Sequence, residues 1–219
     1  MSRLHDREVS RVAKSRSGGR RFDREYGVTT HAVLWVTDLD PDAAGDAAAH
    51  ATHYEAVPVA DFRELLAFVP KDAVPQSTFV DVGAGMGRAV ILAAQYPFKQ
   101  VVGIEVSPAL YEVAKENLAI VRARNLRSRD IRLERGDARI ANYPPGDLVV
   151  FLFNPFDAEA LRATLASVVN RRDSGATWLL YHTPVERAVI DAMPDWELVA
   201  ELPSGVVYAL PSTSRSFCE

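Results

Sequence analysis

The chain has 219 residues, of which 48% are hydrophobic and 25% charged, with a formal net charge of −4. This composition is typical of a folded globular protein and excludes disordered and fibrous classes. The single cysteine, Cys218, excludes an internal disulfide framework and a metal site of several cysteines, and no apolar run approaches the roughly 18 residues that span a membrane. We therefore expect a cytoplasmic protein that does not enter membranes.

The first 25 residues differ in charge from the rest of the chain. They hold eight basic and four acidic side chains, so this segment carries +4 and the remainder −8. A basic arm can contact nucleic acid, but the interleaved acidic residues favour a solvated extension, and nucleic acid is not the preferred partner. We divide the chain into a basic, flexible arm (1–25), a helical or lid segment (26–75) and a main domain (76–219). Tyr26 and Tyr54 are predicted either as lids over a pocket or as buried contacts.

Within the last two segments, helix and strand patterns alternate. A polar loop is predicted at 38–45. The predicted helices are 58–69, 88–96, 107–124, 157–169 and 185–193, and the predicted strands are 78–82, 100–105, 131–135, 148–153, 177–181, 196–202 and 206–210. This alternation predicts a doubly wound α/β fold with a mainly parallel, seven-stranded sheet. The turn Pro203-Ser204-Gly205 predicts an antiparallel hairpin at the C-terminal edge.

The segment FVDVGAGMGR, residues 79–88, follows a predicted strand and opens a predicted helix. Glycines there permit a tight turn and a close approach of the backbone to a ligand. A dinucleotide fingerprint would place its third glycine at Arg88, whereas this chain has the spacing G-x-G-x-G, with Asp81 two residues before the first glycine. A carboxylate beside such a loop suits a ligand that carries an ammonium and a sulfonium. The pattern favours S-adenosyl-L-methionine over a dinucleotide, and a turn without a ligand is the alternative.

Two further acidic residues follow predicted strands. Glu105 ends the strand 100–105, about 20 residues beyond the loop, where a carboxylate can accept hydrogen bonds from both hydroxyls of a ribose. Asp137 follows the strand 131–135, where it can accept from the amino group of adenine, with the amide of Ala138 nearby. A turn-forming Gly-Asp pair is the alternative interpretation of Asp137.

These motifs resemble those of class I S-adenosylmethionine-dependent methyltransferases over roughly residues 77–211. More narrowly, the chain resembles a largely uncharacterised bacterial group with an Asn-Pro-Phe motif, whose members pair an N-terminal Tyr-Gly with "VDVGAGMGR", "VVGIEVSP", "GDAR" and "FLFNPFD". The resemblance implies S-adenosylmethionine as cofactor but no known acceptor. The complete predicted cofactor-binding set is Asp81, Gly83, Ala84, Gly85, Gly87, Glu105, Val106, Asp137, Ala138 and Asn154.

The catalytic residues are predicted at the ends of the fourth and fifth strands. Asn154-Pro155-Phe156 resembles the Asn/Asp-Pro-Pro-aromatic motif of methyltransferases that act on planar amino nitrogens, although Phe156 replaces the second proline. Asn154 as the cap of the next helix is the alternative. His182 is a candidate general base, and a loop histidine with a solvated ring is its alternative.

The sequence thus predicts a methyltransferase for an N or O nucleophile of an unidentified small-molecule or protein acceptor. A non-catalytic S-adenosylmethionine-binding or interaction protein is the first alternative, and a nicotinamide-dependent oxidoreductase is a weaker one. The oligomeric state stays open.

Overall fold

The computed structural model describes residues 20–35, 53–124, 126–171 and 174–212. The predicted polar loop 38–45, residues 1–19 of the predicted arm and Cys218 lie outside these ranges. In the described part, the strands are β1 (Val33–Trp35), β2 (His53–Glu55), β3 (Thr78–Val82), β4 (Gln100–Glu105), β5 (Ile131–Arg135), β6 (Gly146–Phe153), β7 (Ser174–His182), β8 (Glu197–Leu202) and β9 (Gly205–Leu210). The α-helices are α1 (Arg20–Tyr26), α2 (Val59–Leu66), α3 (Arg88–Ala93), α4 (Pro108–Arg122), α5 (Ala158–Val169) and α6 (Arg187–Asp191).

Seven strands form one sheet in the order β5-β4-β3-β6-β7-β9-β8. Strands β3 to β7 pair in parallel, and the hairpin β8–β9 pairs antiparallel with β7. The predicted fold class is therefore confirmed, including the antiparallel edge. Central β3 is buried along its whole length, as continuous apolar runs in parallel sheets are.

Helices cover both faces of this sheet. Successive residues of β3 alternate between the faces, so Phe79 joins a core with Phe62 of α2, while Val80 joins a second core with Leu161 of α5. Helices α3 and α4 complete the first core, and α6 contributes to the second. Each face thus buries its own apolar cluster, as a doubly wound fold requires.

Local capping explains where the two longest helices begin. Ser107 caps α4 by accepting from the backbone N–H of Leu110, with Pro108 at the first helical position. Asp157 caps α5 by accepting from the N–H of Ala160 at 2.9 Å. The alternative that Asn154 caps this helix is therefore wrong, because Asp157 stands directly before the first turn and its carboxyl group accepts the capping hydrogen bond.

The N-terminal part departs most from the sequence-based picture. Helix α1 runs across the predicted boundary at residue 25, and its Phe22 is buried in the first core. The segment 26–75, predicted as a helical or lid segment, contains the short antiparallel hairpin β1–β2 before α2. Among the residues that the structure describes, no helix combines the length and apolar character that crossing a bilayer requires.

Candidate functional site

The carboxyl ends of the parallel strands meet at the point where the strand order reverses. Strand β3 lies between β4 and β6, and the chain proceeds from there in opposite directions along the sheet. In open α/β sheets, ligands bind in the crevice at such a switch point. The predicted site residues at the ends of β3, β4, β6 and β7 therefore share one edge of the sheet.

The glycine loop between β3 and α3 needs its glycines for both conformation and space. Gly83 has φ +74°, and a Cβ there would lie 2.8 Å from Cβ of Pro155. Gly85 has φ +55°, and a Cβ there would lie 2.2 Å from the ring of Tyr54. The loop is thus pressed between the Asn154-Pro155-Phe156 segment on one side and the hairpin β1–β2 on the other.

Two buried carboxylates flank this loop. Glu105 accepts from the backbone N–H of Gly85 at 2.6 Å and from that of Ser107 at 2.7 Å, although burial still raises its pKa above the usual value. Burial, together with the nearby charge of Glu105, raises the pKa of Asp81 to about 8. Two buried carboxyl groups at one site favour a cationic ligand, which would return Asp81 to its ionised form.

A first cavity, which we call cavity A, opens between the ends of β4 and β5 and the start of α5. It has a volume of about 320 Å³, and its walls are largely apolar. Its lining residues are Gly83, Ile104, Val106, Gly136, Asp137, Ala138, Arg139, Phe156 and Ala160. A slot with apolar walls and one acidic edge fits a flat heterocycle with an amino group.

Asp137, the predicted adenine contact, lies on the wall of cavity A. Its carboxylate pairs with the guanidinium of Arg139 at 2.7 Å and accepts from the N–H of the same residue. Tyr143 supports the loop by donating to the carbonyl of Ala138 at 3.0 Å. Sequence reasoning missed Arg139 and Tyr143, although their closeness in sequence to Asp137 was a usable signal.

A second cavity, cavity B, lies on the opposite side of Gly83, with a volume of about 260 Å³. It is lined by Tyr54, Glu55, Ala56, Val57, Asp81, Gly83, Ala84, Arg88, Ala89, Phe151 and Phe153. It brings two carboxylates, Glu55 and Asp81, and the guanidinium of Arg88 to one small space, whereas cavity A has a single carboxylate that pairs with Arg139.

Arg88 links cavity B to the N-terminal part of the chain. Its side chain is buried; Nε donates to Oγ1 of Thr30 at 2.7 Å and Nη2 to Oδ1 of Asp23 at 3.1 Å. Tyr54 is buried as well and donates its hydroxyl to the carbonyl of Thr30. In the sequence, Arg88 stood out only as the missing third glycine. Its partners lie more than 50 residues away, so no local pattern could reveal them.

The Asn154-Pro155-Phe156 segment joins the two cavities. Asn154 has φ +40°, a conformation that asparagine tolerates better than most residues, and its Oδ1 accepts from the hydroxyl of Tyr181 at 3.3 Å. The resulting bend packs Pro155 on Gly83 and directs Phe156 into cavity A. These three residues thus lie beside the glycine loop, and Phe156 lines cavity A.

His182 is buried at the end of β7, so the alternative of a solvated ring is wrong. Its Nε2 lies 3.1 Å from Oδ2 of Asp61 in α2, and its ring packs on Phe153 at 4.3 Å between centroids. Burial lowers its pKa below the usual value. The ring contacts a residue that lines cavity B but is not itself among the described lining residues. Its catalytic role stays a prediction.

A match to a known protein family covers the part of the chain that contains this site. Residues 79–172 match the family described as methyltransferase domain. The match begins in β3, ends beyond α5 and contains the glycine loop, Glu105, Asp137 and Asn154. S-adenosylmethionine is the cofactor that a methyltransferase domain of this fold implies.

Solved structures with the same fold carry related descriptions. The RNA methyltransferase from Salinibacter ruber, solved with S-adenosyl-L-homocysteine, superposes with a TM-score of 0.51 at 19% identity, covering 71% of this chain and 93% of that one. The Escherichia coli protein yhhF, whose assignment as a methyltransferase is provisional, reaches a TM-score of 0.56 at 19% identity, covering 70% and 86%. At this identity the likeness establishes the shared fold alone.

Proposed function

We propose that this protein is an S-adenosylmethionine-dependent methyltransferase that transfers a methyl group to an N or O nucleophile. One observation carries the proposal: the glycine loop, with Glu105 beneath it, stands between an apolar cavity and a charged one. A nucleoside joined to a charged amino acid has this same division of polarity along its length.

The residues of the two cavities match the adenine, the ribose and the methionyl end of S-adenosylmethionine in turn. Cavity A offers apolar walls and Asp137 to an adenine, and Glu105 stands between the cavities with oxygens for ribose hydroxyls. In cavity B, Asp81 suits the ammonium of the methionyl end, and Arg88 suits its carboxylate. The dinucleotide alternative fits less well, because Arg88 replaces the third glycine and its buried side chain occupies the start of α3.

The chemistry that S-adenosylmethionine supplies when bound is a methyl group on a sulfonium, which is already an activated leaving group. The protein must then position the acceptor and exclude water. We assign acceptor positioning to the amide of Asn154 and the carbonyl of Pro155, since the bend at Asn154 places this segment against Gly83. The Tyr181 hydroxyl fixes the amide orientation by donating to Oδ1.

Within this proposal, His182 acts first as a positioning residue. Its ring supports Phe153 on the wall of cavity B, and its bond to Asp61 ties helix α2 to the end of β7. A general-base role would require the Phe153 ring to move aside. His182→Gln tests the two roles, because loss of a base changes the pH profile of kcat, whereas loss of support raises KM and leaves the profile intact.

Isothermal titration calorimetry of the full chain tests the proposal directly. We expect S-adenosylhomocysteine to bind with micromolar affinity and NAD to give no heat. Glu105→Gln should weaken binding at least about tenfold, since one amide oxygen cannot accept from two backbone N–H groups and a ribose. Glu134→Gln, on the exposed side of β5, is the matched control and should bind as the wild type does. Binding of NAD, without S-adenosylhomocysteine, by folded wild-type protein would overturn the assignment.

A further inference from the structure

A group of exposed arginines lies outside the described linings of both cavities. Arg21 and Arg24 come from α1, Arg122 and Arg124 from the end of α4, and Arg127 and Arg129 from the loop before β5. We call this surface the arginine face. Its members come from two segments nearly 100 residues apart in sequence.

Specific contacts hold these two segments together. The guanidinium of Arg124 lies 5.1 Å from the centroid of the Tyr26 ring, and the neighbouring Gly27 packs near the side chain of Ile120. The loop after α4 is fixed by hydrogen bonds from the N–H of Arg127 to the carbonyl of Ala94 and from Arg122 to the carbonyl of Ile131. The six arginines are therefore carried by two segments that contact each other and are fixed by hydrogen bonds.

The charge of these two segments contrasts with that of the chain. Ranges 20–26 and 122–132 together hold eight arginines and three acidic residues, which gives +5, so the rest of a chain of net −4 carries −9. Asp23 turns inward to Arg88 and Thr30, and Asp130 is bonded to Arg132 and Gln100. Two of the three acids are thus occupied by partners outside the arginine face. The sequence that precedes α1 adds five basic and two acidic residues.

Helix electrostatics explains only part of this pattern. Cations near a helix C-terminus are stabilised by the helix dipole, which accounts for Arg122 in the last turn of α4 and for Arg124 two residues after it. It does not account for Arg127 and Arg129, which lie beyond the helix, or for Arg21, which lies at the positive end of α1. All six residues are arginine, whose planar guanidinium binds phosphate in a bidentate manner.

We propose that the arginine face is a docking surface for the phosphate backbone of a nucleic acid. A membrane surface fits less well, since the only exposed large apolar side chain within the two described ranges 20–27 and 120–132 is Ile120, whereas helices that lie in a bilayer surface insert an apolar face. We therefore expect the arginine face to bind phosphates and release their counterions, without contacts that depend on the base sequence.

The position of the face makes this a docking role and not a catalytic one. Helix α4 starts three residues after Glu105 and continues for 15 residues, so its end lies about 22 Å along the helix axis from its start. None of the six arginines is among the described residues that line cavity A or cavity B, so a strand bound through them does not depend on either cavity. The inference is therefore independent of the proposed methyl transfer, and binding can be measured without any cofactor.

Fluorescence anisotropy with a labelled single-stranded RNA of about 20 nucleotides tests the proposal on the full chain. Arg127→Glu/Arg129→Glu and Arg21→Glu/Arg24→Glu should each weaken binding at least about tenfold at about 50 mM salt. The slope of log K against log salt should flatten by about 1.4 for each pair, since single strands lose about 0.7 per phosphate contact. Arg63→Glu/Arg162→Glu is the matched control, because it changes net charge equally at two exposed sites elsewhere, and should bind nearly as the wild type does.

Three results would overturn the inference. The first is equal weakening by the control pair, which would reduce the effect to overall charge. The second is weakening by only one of the two test pairs, which would contradict a continuous face. The third is binding to vesicles of phosphatidylserine without binding to RNA. Thermal denaturation of each variant confirms that it is folded before it is scored, and calorimetry with S-adenosylhomocysteine, run separately, reports on the proposed function alone.

Discussion

Cavities A and B lie on opposite sides of one glycine, yet they are built in different ways. The residues that line cavity A come from short stretches at the ends of β3, β4, β5 and β6, where sequence motifs stand next to each other. Cavity B needs Tyr54 and Glu55 from the N-terminal hairpin, held by the contacts of Arg88 with Asp23 and Thr30. Cavity A is therefore formed mainly by the sheet and its loops, while cavity B also depends on the N-terminal segment that packs against them.

The largest effect should come from removing the ion pair that holds this N-terminal segment. Arg88→Met leaves Asp23, whose side chain is 14% exposed, without its buried cation, and we expect the free energy of unfolding to fall by about 3 kcal/mol. Urea denaturation measures this loss, and proteolysis should cut near the hairpin β1–β2 first.

The pair Arg132–Asp130 is the matched control, since its side chains are 61% and 43% exposed. Arg132→Met should cost less than about 1 kcal/mol. If both substitutions cost the same, the N-terminal segment is not anchored by Arg88.

A second, smaller effect should appear in the pH dependence of ligand binding to cavity B. The pKa of Asp81 is raised to about 8, so its carboxyl is largely protonated at pH 6. A cationic ligand needs the ionised form, and affinity for S-adenosylhomocysteine, which carries an ammonium, should rise between pH 6 and 8 by up to about tenfold per pH unit. Asp81→Asn should flatten this rise, as calorimetry at several pH values would show.

The same group affects stability in the opposite direction. Because the folded pKa exceeds the unfolded value of 3.8, the folded state holds the proton more tightly. Stability from Asp81 is therefore fully present below pH 4 and is lost as the pH rises through about 8. Urea midpoints of wild type relative to Asp81→Asn should decline over this range, and a rise would contradict the assignment of the proton to Asp81.

The smallest of the three effects should come from filling cavity A. A Cβ on Gly136 would meet no atom within 4 Å, so Gly136→Val places its methyl groups in the cavity without a backbone clash. We expect affinity for S-adenosylhomocysteine to fall about tenfold, while the free energy of unfolding changes by less than about 1 kcal/mol. Gly85→Val is the contrast: its Cβ would overlap the Tyr54 ring, so stability should fall with affinity. Unchanged affinity of Gly136→Val would exclude cavity A as the adenine site.

The difference between local and long-range contacts also explains which parts of the structure the sequence predicted. Strands β3, β4 and β5 were predicted to the residue, because apolar runs bounded by turns are local signals. Helix α3 ends at Ala93, three residues before the predicted end, and α6 is shorter than predicted at both ends, since helix ends depend on packing. The mainly parallel sheet of seven strands followed from alternation, which requires no knowledge of distant contacts, whereas the order of the strands in the sheet was not predicted.

The contacts that the sequence did not predict join residues that lie far apart in the chain. Asp61 pairs with His182 across 121 positions, and Tyr54 packs on Gly85 from a hairpin that carries only three residues in each strand. Neither contact leaves a repeating pattern in the sequence. The roles of Asn154, Asp137 and His182 were proposed from motifs, and the structure supplies their neighbours without deciding which of them touches a substrate.

The carboxylate of Glu105 has one consequence for the order of events at this site. A carboxylate has about four lone-pair positions, and two are already taken by the amides of Gly85 and Ser107. An incoming ribose hydroxyl can therefore join without breaking either bond, so the loop already has the shape that the ligand requires. We expect the ribose to bind at Glu105 quickly and without a change in the conformation of the loop. Any slower conformational change should occur in the N-terminal segment that carries Tyr54.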